Sequence, residues 1–267
     1  MDKKDIPDPK LSATVLLVRD REALEVLMVR RHYQIDFASG ALVFPGGKAS
    51  TDDQHAQWDE AIDGEFAGDQ QVARIAAVRE AFEESGILLA RPATARGRDA
   101  SLVGADIAES LAPHRAAVDR GEESFLELIR GNNLVLALDT LVHFGHWITP
   151  TMMPKRFDTH FFLAPAPPSQ LASHDGRETT DAVWLNADDA LAKEAAGEAT
   201  IIFPTRMNLK KLSTASNVAG SVEQFSSEDV VTVLPEVGTG EDGKPCLHIP
   251  EVAGYGQTAE PLERVKV

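Results

Sequence analysis

Cysteine is nearly absent from this chain of 267 residues: Cys246 stands alone. One thiol makes no intrachain disulfide and no cysteine-based zinc site, which excludes a disulfide scaffold and a zinc ribbon. Positive charge is scarce too, with 26 Lys+Arg against 42 Asp+Glu and a formal net charge of −16. That balance lacks the basic footprint of a nucleic-acid binder, so no nucleic-acid partner is expected. It also repels acidic membranes, and polyphosphates unless a local basic patch or a bound metal compensates. No apolar run is long enough to span a bilayer, and no membrane partner is expected. Met1 to Lys10 is charged and contains proline, so it does not read as a secretory signal. The closing Arg264-Val265-Lys266-Val267 is not a peroxisomal or ER-retention address, and the cytoplasm is the expected location. What is present, 43% hydrophobic and 25% charged residues, suits an ordinary soluble globular protein.

Residues 13–18 and 24–30 read as neighbouring strands joined by a charged turn, and 41–45 as a third apolar run stopped by a turn at Pro45-Gly46-Gly47. Residues 52–71 are polar and acidic and read as an inserted loop with a helical turn. From Val72 to Ser85 the spacing of Ile75, Val78 and Phe82 predicts a helix with one apolar stripe, closed by Gly86. Ile87 to Ala90 then resume as a strand. Residues 105–130 read as two helices broken near Gly121. Residues 142–149 and 156–164 read as strands paired antiparallel, and 183–185 as another short one. Ala187 to Ala196 is a predicted helix, and Pro204 opens a further one. Beyond about residue 226 a Pro- and Gly-rich tail wraps the domain or adds an edge strand.

The informative segment is Arg79-Glu80-Ala81-Phe82-Glu83-Glu84-Ser85-Gly86-Ile87. Glu80, Glu83 and Glu84 lie at i, i+3 and i+4, which sets three carboxylates on one helix face. They repel one another unless a cation neutralises them, and hard oxygen donors suit Mg²⁺ or Mn²⁺. A solvated acidic face is the commoner meaning of such a cluster. Three neighbours tip the balance: Arg79 beside it, Gly86 closing the helix, and a Gly-Gly turn upstream whose backbone carbonyl can approach the same metal.

This segment resembles the second half of the Nudix box, GX₅EX₇REUXEEXGU with U aliphatic. Arg79-Glu80, Glu83-Glu84 and Gly86-Ile87 match, Gly47 matches the opening glycine, and Ala81 is a weak match at the first U. An uninterrupted box from Gly47 would put its Arg at position 61; it stands at 79, so 18 residues are inserted. The box's first Glu slot falls on Asp53 counted forward and on Gln71 counted back. Either stands where the family uses a Glu to support the box through a salt bridge. The run Gly40 to Lys48, then Trp147 to Pro150 and Pro154 to Phe162, resembles the coenzyme A diphosphatase branch, of mammalian peroxisomal type and with bacterial relatives.

The resemblance implies a Nudix α/β/α sandwich, a mixed sheet between helices with helical insertions, in one domain spanning 1–267. Its core is about 11–215, with inserts at 54–71 and about 100–132 and a C-terminal extension from about 226. It implies a Nudix pyrophosphohydrolase cleaving a small-molecule nucleotide diphosphate, coenzyme A or acyl-CoA first. Glu80, Glu83, Glu84 and Gly47 would be the metal ligands. Glu80 or Glu178 would be the general base, and Arg79 would pin a carboxylate in the catalytic centre. Arg30, Arg31, Lys48 and Arg156 are the candidates for phosphate, with Lys155 behind them. ADP-ribose or dinucleotide hydrolysis stays open, as does a homodimer. A Nudix-fold sensor that binds without catalysis is the other class of reading; such sensors usually lose box glutamates, and all three persist here. His143 and His146, three apart in a predicted strand, would point to opposite faces and show no metal spacing.

Overall fold

In the computed structural model, which describes residues 6–31, 40–176 and 178–265, the run beginning at Ala13 is the middle of strand β1 (Lys10–Asp20). β2 (Leu24–Arg31), β3 (Leu42–Val43), β4 (Gly46–Lys48), α1 (Trp58–Ala61) and α2 (Asp69–Ser85) follow. Then come β5 (Ala90–Pro92), α3 (Ala105–Leu111), α4 (Arg115–Asp119), α5 (Phe125–Gly131) and β6 (Leu134–Leu136). β7 (Val142–Ile148), β8 (Phe157–Pro165), β9 (Thr179–Asn186), α6 (Ala187–Ala195), α7 (Phe203–Leu212) and α8 (Val218–Ser226) complete the main body. The tail carries β10 (Thr232–Val233), β11 (Glu236–Thr239), β12 (Pro245–His248) and β13 (Ala259–Pro261).

The main sheet is mixed. Its order is β10-β7-β8-β1-β2-β3, with β4 also on β1 and β9 also on β2. β1 runs parallel to β8 and antiparallel to β2 and β4. β1 reads as a continuous apolar run because both of its faces are covered. Ala13, Val15 and Leu17 join a cluster with α2 and the inserted helices. Leu16 and Val18 join a second cluster with α6, α7 and α8. Helices on both faces of a mixed sheet are the expected sandwich. Among the described residues no helix is long and apolar enough to cross a membrane.

Four local expectations change. Residues 52–71 are no plain polar loop: Trp58 is fully buried and joins Ala61 and Ile62 in the core, with its ring 5.9 Å from Phe125. A lone aromatic among acids gives no periodic signal, which hides its burial from the sequence. Ile87 to Leu89 do not form a strand. The Gln170 side chain takes the Leu88 N–H at 2.8 Å and donates to its carbonyl at 3.0 Å, so pairing starts only at Ala90. Gly46 and Gly47 do not turn the chain but lie extended against Thr14 and Ala13. Finally, β7 bulges between His143 and Gly145: His143 stands opposite Phe162 and His146 opposite His160. The extra residue, Phe144, packs edge-on to Phe225 at 4.7 Å. It shifts the alternation by one, so His143 and His146 share a face.

The tail does both things foreseen for it. β10 extends the sheet edge parallel to β7, and β11, β12 and β13 form a small antiparallel sheet. Tyr255 ties it to the body, its hydroxyl accepting from Trp147 Nε1 at 2.9 Å and donating to Asn208 at 3.1 Å.

Candidate active site

α2 starts at Asp69, three residues before the predicted start. It stops at Gly86, whose φ of +74° makes it a left-handed cap with its N–H on the Phe82 carbonyl. Ile75, Val78 and Phe82 are fully buried as the apolar stripe requires. The other side is buried as well: Glu80, Glu83 and Glu84 are only 8%, 5% and 3% exposed. β4 lies over that side. A Cβ on Gly47 would sit 2.4 Å from a Glu80 carboxylate oxygen, so glycine lets the strand approach with that carboxylate in place. The Glu84 carboxylate accepts the Gly46 N–H at 3.0 Å.

Arg79 binds this arrangement together. Its Nε and Nη2 form a two-point pair with Asp53 at 2.9 and 3.0 Å. Nη1 reaches Glu80 at 3.0 Å and Glu83 at 2.8 Å, and Nη2 reaches the Lys48 carbonyl at 2.8 Å. The fork of five N–H donors is thus spent on α2, β4 and the turn at Asp52–Gln54. Of the two candidates for the box slot, Asp53, only 1% exposed, is the one that reaches Arg79, while Gln71 donates to Asp59. The sequence missed Arg115: its guanidinium donates to the Glu83 carbonyl at 2.9 Å and to Ser173, capping the end of α2 from inside the insert.

Glu80 and Glu83 open on a cavity of about 900 Å³, while Glu84 lies behind them against Gly46 and does not line it. Glu80, Glu83, Glu178, Arg31, Lys48 and Lys155 belong to its charged lining. Trp147, Met152, Met153, Phe157, Phe203 and Leu262 supply an apolar wall. Arg30 and Arg156 do not line it. Arg30 donates to the Gly40 carbonyl at 3.2 Å; Arg156 donates to the Thr149 and Pro7 carbonyls, both at 3.0 Å, and holds the β7–β8 connection. Both guanidiniums are occupied with backbone acceptors. Arg31 contrasts with them: among the described residues its buried Nε has no hydrogen-bond partner.

The electrostatics ask for a cation. Burial pushes all three glutamates up: Glu80 is raised, Glu83 reaches about 8 with Glu80 beside it, and Glu84 goes well above the usual carboxylate range. Arg79 opposes the rise at Glu80 and Glu83, and the Gly46 N–H and then Arg31 oppose it at Glu84, while Glu178 adds to it at Glu80 and Glu84. A buried surplus of hard oxygen donors beneath a glycine strand fits a Mg²⁺-class ion.

A pH effect follows for the chain stripped of divalent ions. Carboxyls that hold protons in the folded state lend stability below their unfolded pKa. They lose it as pH rises through the folded value, about 8 for Glu83. His143 and His160, depressed by burial to about 3 and about 4, act with the opposite sign below the ordinary histidine pKa of about 6.5. In EDTA the melting temperature should therefore fall between about pH 6.5 and 8, and saturating Mg²⁺ should abolish the fall. Calorimetry checks this. A rise in EDTA over that interval would mean that the glutamates are already ionised in the fold.

A strand-borne glycine pair set over an Arg-Glu and Glu-Glu helix, within this sandwich, places the chain in the Nudix hydrolase class. A crystal structure of a NUDIX hydrolase from Alicyclobacillus acidocaldarius superposes with a TM-score of 0.70 at 28% identity, covering 83% of this chain and 99% of that one. The chain belongs to the family described as the NUDT19 Nudix domain, whose family model matches residues 59–212. Two curated relatives carry the name acyl-coenzyme A diphosphatase NUDT19. The Xenopus laevis protein is 25% identical, over 82% of this chain and 68% of its own. The Gallus gallus protein is 27% identical, over 82% and 70%.

Proposed function

We propose that the chain hydrolyses the diphosphate linkage of coenzyme A or an acyl-coenzyme A, with Mg²⁺ or Mn²⁺ as cofactor. The products are phosphopantetheine, or its acyl form, and adenosine 3′,5′-bisphosphate. The observation that carries the chemistry is the surplus of buried carboxylate under the Gly46–Gly47 strand. The substrate class is supported by the names of the relatives and by a cavity that joins cationic groups to an apolar wall. Fold alone would not choose a substrate.

Glu80, Glu83 and Glu84 would hold the ion with a backbone carbonyl of the glycine pair, in which Gly47 is paired to Ala13 of β1 and Gly46 faces the glutamates. When bound it supplies charge neutralisation at the phosphate oxygens and lowers the pKa of a water ligand. Glu80 or Glu178 takes the proton of the attacking water, whose oxygen displaces the bridging oxygen at phosphorus. Arg79 is a positioning residue, holding Glu80 and Glu83 through its contacts to both. Arg31 and Lys48 receive phosphate at the rim. Arg31, with its buried Nε, is the stronger candidate.

A substrate panel tests this. Coenzyme A or a short acyl-CoA should show a higher kcat/KM than ADP-ribose, NADH or diadenosine polyphosphates, and EDTA should stop turnover. Dephospho-CoA lacks the 3′-phosphate and should be about ten- to a hundredfold poorer, as expected when a charge-assisted contact of about 1.5–3 kcal/mol is lost. A preference for ADP-ribose overturns the substrate and leaves the hydrolytic chemistry standing.

A further inference from the structure

Outside the glutamate site, the bulge in β7 assembles a second set of metal-type donors. His146, Asp158 and His160 share one face of the β7–β8 pair, and a donor atom from each lies within 4.8 Å of the other two. The imidazoles of His146 and His160 stack at 4.1 Å with planes 8° apart, so the rings must tilt towards each other before their in-plane lone pairs meet one ion. His146 Nε2 contacts the Asp158 carboxylate. We propose that His146, Asp158 and His160 form a binding site for a first-row transition ion of the zinc class, separate from the glutamate site.

Ligand chemistry separates the two sites. Two imidazole nitrogens and one carboxylate are a zinc-type set, whereas the glutamate face is all oxygen. The second nitrogen of each ring already has a partner, the usual way a ligating histidine is oriented. His146 Nδ1 meets Thr232 Oγ1 at 2.7 Å, which leaves Nε2 for the ion. His160 Nδ1 meets His143 Nε2 at 3.1 Å and the Gln70 amide at 3.3 Å. With Nε2 on the ion, Nδ1–H donates to His143 Nε2 and the longer Gln70 contact gives way. His143 thereby acquires a role as hydrogen-bond acceptor behind the site. His160 is buried, while Asp158 and His146 are half-buried and give an entering ion and a water as fourth ligand access from their side.

Position separates them as well. Gln70, beside His160, precedes Glu80 by ten residues on α2, about 15 Å along the helix axis. The alternate residues of the same strands, Trp147, Phe157 and Thr159, line the cavity from the other side. An ion held by His146 and β8 would therefore brace the back of the cavity wall and, through Thr232, the edge strand.

The test is equilibrium dialysis of the full chain against Zn²⁺ with Mg²⁺ in large excess, the retained metal being counted by mass spectrometry. One Zn²⁺ per chain is expected in the wild type and in Glu84→Gln, and none in His146→Gln or Asp158→Asn. Co²⁺ added to the wild type should give the intense visible band of four-coordinate cobalt with nitrogen ligands, an observation that does not depend on the variants folding. No retained Zn²⁺ and no such band in the folded wild type would overturn the site. So would Zn²⁺ lost with Glu84→Gln but kept with His146→Gln, which would assign it to the glutamates. Hydrolytic activity is not read in any arm, so failure of the coenzyme A reading leaves this test unaffected.

Discussion

Replacing Glu84 by Gln should lower kcat by about a thousandfold, the scale seen when a preorganised electrostatic contact is removed. Glutamine keeps the volume of the side chain, and its amide oxygen can still accept the Gly46 N–H that now lies 3.0 Å from the carboxylate. What disappears is one charge of a buried group that faces Glu80 and Glu178. A thousandfold corresponds to about 4 kcal/mol of transition-state stabilisation, more than a neutral hydrogen bond supplies and within reach of a lost metal ligand. Stability should move the other way. With EDTA present the variant should melt no lower than the wild type, because the buried amide is neutral at every pH whereas the carboxyl must hold a proton to be so. Steady-state rates on coenzyme A at saturating Mg²⁺, with melting curves on the same samples, make the comparison. A rate within a few-fold of wild type would show that Glu84 serves only to hold β4.

Much of the site was legible because its information is local. Three glutamates at i, i+3 and i+4, an adjoining arginine and a closing glycine all lie on one helix, and helix geometry converts their spacing directly into a shared face. The strands flanking it were legible for a similar reason, since β1, β2, β7, β8 and β9 announce themselves as apolar or aromatic runs. What stayed hidden depends on contacts between distant residues. Asp53 and Gln71 were equal candidates by counting, and only the path of the insert brings Asp53 to Arg79, 26 residues away. Arg115 caps α2 from a helix whose docking no periodicity reports. Arg30 and Arg156 looked like phosphate ligands because an arginine's type does not say which acceptor it will find. The histidine face was inverted by a single bulged residue, since a strict two-residue alternation puts His143 and His146 on opposite sides. One part of the cavity wall was also out of reach, because Pro235, Leu247 and Leu262 come from a tail with no repeating pattern.

The two glycines of β4 should separate fold from chemistry when each is changed to alanine. At Gly46 an added Cβ would lie 2.5 Å from the Ala13 carbonyl oxygen and 2.7 Å from the Thr14 Cα, both backbone atoms of the central strand. Neither can move without disturbing the pairing of β4 with β1, so Gly46→Ala should cost about 1–3 kcal/mol of stability or more, the range for an overpacked core. At Gly47 the added Cβ would instead meet the Glu80 carboxylate, at 2.4 to 2.7 Å from its oxygens and carbon. That group is the far end of a side chain and can swing away at small cost to the fold, but only by leaving its contact with Arg79 Nη1. Gly47→Ala should therefore melt within a few degrees of wild type and lose about a hundredfold or more in kcat. Loss of one oriented electrostatic group has effects of about that size. Its Mg²⁺ requirement should also rise, because a proposed ligand is displaced. Thermal melts and Mg²⁺ titrations of turnover on the two variants decide the matter. If Gly47→Ala lost stability and kept its rate per folded molecule, the close approach of β4 to Glu80 would be a packing contact and Glu80 would have no part in the reaction.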